Sequence, residues 1–205
     1  GQNTGILGCL ACRLVAMDNC DDITCNPEGT LQDLTESSLG LQRVGLLVAD
    51  DGQASDYFGM GLSMDGDYVI IGANEADPNG DRSGAAYVFE RHEGAWVQVI
   101  KLVPDDGRVT DDFGSTVSIS GNIAVVGAQN HDLPNRDDSG VAYVYERVNG
   151  LWSQVAKLSA PSEFLRAGQH FGKSVSVDGD RLVIGAHNDT PVFFAGGAAY
   201  VFRVN

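Results

Sequence analysis

The chain has 205 residues, 43% of them hydrophobic and 20% charged, with a formal net charge of -15. This balance describes a folded globular chain with room for one well-buried domain and a small appendage, and it excludes a disordered polymer. The negative charge argues against nucleic acid and anionic lipid as partners, since both demand a positive footprint, while it suits solubility and divalent cations.

The chain begins with a mostly apolar stretch, Gly5 to Val15, interrupted by Arg13. It is too short to cross a bilayer, which takes ~20 apolar residues, and no membrane span is expected anywhere in the chain. The stretch reads as the tail of a secretion signal or as a retained apolar arm, and Ile6-Leu7-Gly8-Cys9 has the look of a lipoprotein cleavage box. All four cysteines follow within it or just after it, at Cys9, Cys12, Cys20 and Cys25. Their spacing, C-x2-C-x7-C-x4-C, has a short central gap for a zinc module and no neighbouring histidine. Two disulfides in an oxidising compartment are the expectation; three pairings stay open, bonds between subunits included. Residues 1–40 are therefore read as a Cys-rich arm, and 41–205 as the main body.

That body repeats. Residues 56–73 read DYFGMGLSMDGDYVIIGA, 111–128 read DDFGSTVSISGNIAVVGA, and 169–186 read QHFGKSVSVDGDRLVIGA. Each is followed by a polar loop and then by GAAYVF at 84–89, GVAYVY at 140–145 or GAAYVF at 197–202. Gly59 to Gly114 spans 55 residues and Gly114 to Gly172 spans 58, a period that belongs to propeller blades or solenoid units. The repeats divide at about 53–107, 108–163 and 164–205.

Within each repeat the pattern predicts strands. Val117, Ile119, Ile123 and Val125 are β-branched and alternate with small or polar residues. Asp-Gly-Asp at 65–67 and 178–180, and Ser-Gly-Asn at 120–122, predict tight hairpins between the first two strands. The third strand carries Tyr87, Tyr143 or Tyr200. A fourth, WVQVIKL at 96–102 and WSQVAKL at 152–158, follows in the first two repeats only. Four antiparallel strands make one propeller blade. Phe58, Phe113 and Phe171 are expected to wedge between blades, with the glycine after each letting the backbone pass closely.

These landmarks, FG…VxxxGxxxVxGA…GxAYVF three times over, resemble the FG-GAP repeat of the integrin α-subunit propeller and of many secreted proteins. The resemblance implies an all-β extracellular propeller, usually of seven blades, that mediates adhesion or ligand binding. It implies no particular chemistry.

The chain cuts the repeat unevenly. Its third repeat stops after the third strand, whereas Leu41 to Gly52, LQRVGLLVADDG, aligns with WVQVIKLVPDDG at 96–107. An N-terminal strand carried by Leu41, Val44, Leu46 and Leu47 is thus expected to complete the last blade, in its own chain or a neighbouring subunit. Three arrangements satisfy the mismatch: a strand-exchanged oligomer or head-to-tail filament, a piece of a larger propeller, or a compact closed monomer.

The resemblance also points to a calcium loop between second and third strands, written DxDxDGxxD in integrin-type repeats. Asp77, Asn79 and Asp81 alternate in the first such loop, a pattern suited to oxygen ligation of Ca2+. Asp132, Asn135, Asp137 and Asp138 follow in the second with broken spacing, and Asp189 alone remains in the third. Acidic turns facing water are the alternative. Asn188-Asp189-Thr190 is the one N-x-S/T sequon and marks Asn188 as a glycosylation candidate. His92, His131, His170 and His187 fall in different parts of the repeat, and no Ser-His-Asp, paired-carboxylate or cysteine-nucleophile motif emerges. The expected function is therefore non-enzymatic: extracellular self-assembly, or recognition of an extracellular protein or glycan, with a polysaccharide hydrolase or lyase as the enzymatic alternative.

Overall fold

The computed structural model describes residues 43–189 and 196–204. The chain divides into two units, Gly1–Leu46 and Leu47–Asn205. In the first, only Arg43–Leu46 is described; it forms no strand, and Val44 and Leu46 are exposed. Cys9, Cys12, Cys20, Cys25 and Leu41 lie outside the described residues.

The second unit is all β among its described residues. Blade 1 is a sheet of β1 (Leu62–Asp65), β2 (Tyr68–Ala73), β3 (Ala85–His92) and β4 (Ala95–Leu102), paired in that order. Blade 2 repeats it with β5 (Thr116–Ser120), β6 (Ile123–Ala128), β7 (Val141–Val148) and β8 (Leu151–Leu158). Blade 3 has β9 (Phe171–Asp178), β10 (Arg181–Ala186) and β11 (Ala198–Arg203), in the order β9-β10-β11. Every pairing is antiparallel.

The turns explain the meander. The first hairpin of each blade closes through two residues, Gly66-Asp67, Gly121-Asn122 and Gly179-Asp180, as their sequence predicts. The last hairpins of blades 1 and 2 close through Glu93-Gly94 and Asn149-Gly150, with both residues at positive φ in each. That is the mirror-image turn whose twist matches paired strands.

Two faces per blade make the core. One face of blade 1, with Ile70, Ala86 and Val88, packs on Ala124, Val126, Val141, Tyr143 and Phe113 of blade 2. The opposite face of blade 2, with Ile123, Val125, Ala142 and Val144, packs in the same way on Leu182, Ile184, Phe171 and Tyr200 of blade 3. Each blade thus has a forward face toward the next blade and a rear face toward the previous one. Two of the three expected Phe wedges lie between blades: Phe113 stands edge-on to Tyr143 at 5.5 Å, and Phe171 lies 5.6 Å from Tyr200, whereas Phe58 packs on the rear face of blade 1 alone among the described residues. Each Val, Ile, Leu or Phe side chain buried in these seams contributes about 1.5–3 kcal/mol relative to exposure, so the seams and the sheets stabilise each other.

The expected N-terminal strand is not formed across 43–52. Only its last part is engaged: Leu47 and Ala49 pack beside Phe58 on the rear face of blade 1. An extended segment becomes a strand when its amides meet a ladder, and among the described residues this one pairs with none.

Candidate assembly surface

The inner strands couple the blades through a repeated pair of hydrogen bonds. Ser63 Oγ accepts from the Ile119 amide at 3.1 Å, and Asp65 Oδ2 accepts from the Gly121 amide at 2.6 Å. One blade later, Ser118 Oγ accepts from the Val177 amide at 3.0 Å and Ser120 Oγ from the Gly179 amide at 3.2 Å. Glycines allow the blades this close. A Cβ on Gly72 would sit 1.8 Å from the Gly114 carbonyl oxygen, and one on Gly127 would sit 2.1 Å from that of Gly172. The Gly-Ala glycine of one blade therefore rests on the Phe-Gly glycine of the next.

Both ends of the array expose what the seams bury. Val183 and Val201 on the forward face of blade 3 are 42% and 70% exposed, while their counterparts Val125 and Val144 are 0% and 3%. On the rear side of blade 1, Leu62 and Met64 are 66% and 67% exposed, against 7% and 4% for Val117 and Ile119. In each comparison the buried member faces a neighbouring blade and the exposed one does not.

The outer edge of blade 3 is open as well. β11 pairs with β10 alone among the described strands, whereas β3 and β7 each carry a fourth strand. An open edge is a template for another strand. Beside it a groove of about 270 Å³ is lined by Val144, Val155, Leu158, Leu182 and Phe202.

The fourth strands of blades 1 and 2 also supply a lysine clamp. Lys157 Nζ meets Asp106, which accepts a 2.8 Å bond from the Tyr143 hydroxyl, and its ammonium stands 5.5 Å from the Tyr143 ring centre. Lys101 makes the same bridge to Asp51 at 2.6 Å and stands 5.4 Å from the Tyr87 ring centre. Burial drives the Tyr143 hydroxyl pKa upward, reinforced by its bond to Asp106. Burial works to raise Asp106, yet the bonds from Lys157 and Tyr143 outweigh it and hold the carboxyl below its ordinary range. The sign is then fixed: Asp106 stabilises the fold above the unfolded carboxylate pKa of about 3.9, and this contribution disappears as pH falls through its lower folded value. Acid titration followed by circular dichroism should show a shallower loss of stability below pH ~4 for Lys157→Met than for the unaltered chain. In blade 3 the clamp is different. The Tyr200 hydroxyl donates to Asp189. Burial, then the Asp189 bond, raises the Tyr200 hydroxyl pKa.

The predicted calcium loops are held by their own backbones. Asp77 Oδ1 accepts from the Arg82 amide at 2.7 Å, and Asp132 Oδ1 accepts from the Asp138 amide at the same distance. Asn79 donates its side-chain amide to the Pro104 carbonyl, and the Asp81 and Asp137 carbonyls receive the Thr110 and Gly168 amides of the following segment. These loops serve to fasten one blade to the linker of the next. Among the described residues no three of His, Cys, Asp or Glu converge in a group able to hold a metal ion. Asn188 is exposed, next to residues 190–195, which lie outside the described part.

One buried pair escapes a motif search. His131 Nδ1 lies 2.7 Å from Asp111 Oδ2, both side chains are buried, and His131 Nε2 meets Lys157 Nζ at 2.7 Å. The matching position pair in blade 3 is Gln169 and Asp189, joined at 2.6 Å, and in blade 1 it is Asp56 and Ala76. The first member plays a constant second role in every blade. Asp56, Asp111 and Gln169 each cap an amide three residues upstream, at 2.8, 2.8 and 2.6 Å. Column-by-column comparison of the repeats at these two positions carries the signal that a search for catalytic motifs misses.

No helix among the described residues is long and apolar enough to cross a membrane. Comparison with curated proteins gives no significant match. The FG-GAP repeat family matches at residues 42–89, 96–145 and 152–202. The second and third matched units begin within β4 and β8, and all three end on a third strand, so the family unit is offset from the sheet by one strand. With three tandem matches over most of its length, on the blades whose seams are described above, the chain belongs to the FG-GAP repeat family.

Proposed function

We propose that this chain is a non-enzymatic, extracellular structural module that assembles head to tail, residues 41–47 of one copy adding as the fourth strand to the β11 edge of another. The observation that carries the reading is the pair of unmatched features: an edge at β11 with three strands in its sheet, and a family unit that starts with a fourth-strand segment at residue 42. Strand addition supplies main-chain hydrogen bonds to both, and a heterologous contact of this kind propagates from copy to copy. The family supports the extracellular placement. A second reading is an adhesion or ligand-binding module within a larger integrin-like propeller, favoured by the exposed apolar positions at both ends of the array.

Truncation separates the two. Leu47, Ala49 and Asp51 are tied to blade 1, so the cut belongs before them. Sedimentation velocity should show oligomers for the full chain and for a chain lacking residues 1–40, and monomers once residues 1–46 are removed. Equal assembly by the shorter chain would defeat strand addition. A full chain that stays a discrete monomer and binds an extracellular protein or glycan would favour the adhesion reading.

A further inference from the structure

The edge strand is half of a larger surface. In each seam the fourth strand belongs to the blade that packs on the rear of the next one, as β4 leads from blade 1 into blade 2. A copy that donates residues 41–47 to a foreign β11 must therefore also offer the rear face of its blade 1 to the forward face of that blade 3. We infer, resting on the assembly reading above, that joined copies meet in a third seam built in the register of the two internal ones, with a mismatched arginine rim as its weak point.

Several elements of the internal seams have open counterparts at the ends, although Ile71, Tyr87 and Phe89 on the rear face of blade 1 are already buried. Ser176 and Asp178 of β9 occupy the places of the acceptors Ser63 and Asp65, and the amides of Met64 and Gly66 occupy those of Ile119 and Gly121. Val183 and Val201 await cover, as do Leu62 and Met64. The glycine contact is split too. The nearest atoms a Cβ on Gly185 would meet belong to its own blade's Ser174, the hydroxyl oxygen at 2.2 Å and the backbone oxygen at 3.8 Å, and one on Gly59 would meet nothing within 4 Å. In the internal seams the matching glycines press on each other's backbones.

The rim departs from this pattern. In the first seam the Tyr68 hydroxyl donates to Glu90, and the Arg147 guanidinium of blade 2 stacks 3.8 Å over the Tyr68 ring. The paired positions Tyr68 and Glu90 become Arg181 and Arg203 in blade 3, and the position of Arg147 in blade 1 is Arg91. A third seam thus gathers three guanidiniums where the first has a carboxylate, a ring and one guanidinium. Asp180 and Asp67, already paired with Arg203 and Arg91, offset two of the three charges. The seam is complementary in shape and backbone, and electrostatically weak at one rim.

Two variants of the full chain test this in opposite directions. Gly185→Ala has room to fold, because its single close neighbour is a serine side chain that can turn, but its methyl group fills the space the next copy's Gly59 backbone must occupy. It should leave the monomer melting temperature nearly unchanged and abolish oligomers in sedimentation velocity. Arg181→Tyr with Arg203→Glu recreates the first seam's rim from two exposed positions, and the gained stack and ion pair should tighten association about tenfold. If Gly185→Ala assembles normally and the double variant binds no tighter, while assembly still requires residues 41–46, the seam is wrong and strand addition stands. If neither the unaltered chain nor the double variant assembles, strand addition and the seam fall together.

Discussion

Gly114→Ala should destabilise the chain by about 4 kcal/mol, a drop in melting temperature of roughly 10 °C by differential scanning calorimetry. Two costs add. Gly114 has φ at +89°, a region that L side chains rarely adopt, and a Cβ there would stand 2.2 Å from the Ala85 carbonyl oxygen of blade 1. Backbone cannot turn aside as a side chain can, so the whole Phe-Gly segment must lift off its neighbour and open the seam. Gly94→Ala is the control. It has a similar φ of +86° but nothing within 4 Å, and it should cost only the local strain, about 1–2 kcal/mol. The difference between the two measures the seam. Equal losses would mean that backbone strain alone accounts for the glycine and that the blades are not held apart by so narrow a margin.

His131→Ala should be nearly as severe, at about 3 kcal/mol and roughly 8 °C. The imidazole is fully enclosed, with one nitrogen on the buried Asp111 carboxylate and the other facing Lys157. Removing the ring leaves Asp111 with the Arg108 amide as its remaining close hydrogen bond and opens a cavity under Tyr143, whose ring stands perpendicular to the imidazole at 6.2 Å. A buried acceptor stripped of its partner costs more than the bond was worth. The repeats themselves offer the remedy. Asp111→Gln combined with His131→Asp installs the pair that blade 3 uses at the same two positions, Gln169 on Asp189. Thermal melts should show most of the loss recovered in this double variant. A double variant as unstable as His131→Ala would show that the surrounding lysine and tyrosine, and not the pair, set the requirement.

Much of this molecule was legible in one pass along the chain, because its local rules repeat. The period near 56 residues, the Asp-Gly-Asp and Ser-Gly-Asn hairpins, the Phe-Gly wedges and the four-strand unit are short-range patterns, each displayed more than once. The short third blade was legible from the same count. Other features were not. Asp77 and Asp132 each commit a carboxylate oxygen to an amide a few residues downstream, a hydrogen bond set by the loop's path that composition alone does not specify. The N-terminal segment carries strand-forming residues from Val44 to Val48, but it meets no ladder and stays irregular.

By itself the sequence determined what each blade is: strand order, turn chemistry and the alternation that assigns every side chain to one face. Those follow from period-two patterning and from glycine placement, which act over a few residues. Only the tertiary structure decided how blades recognise each other. The Ser63 bond to the Ile119 amide joins residues 56 apart, and the Ser118 bond to the Val177 amide joins residues 59 apart. Nothing in a serine's immediate neighbours distinguishes a hydroxyl that grips the next blade from one that faces water. The distinction comes from the approach of a second backbone.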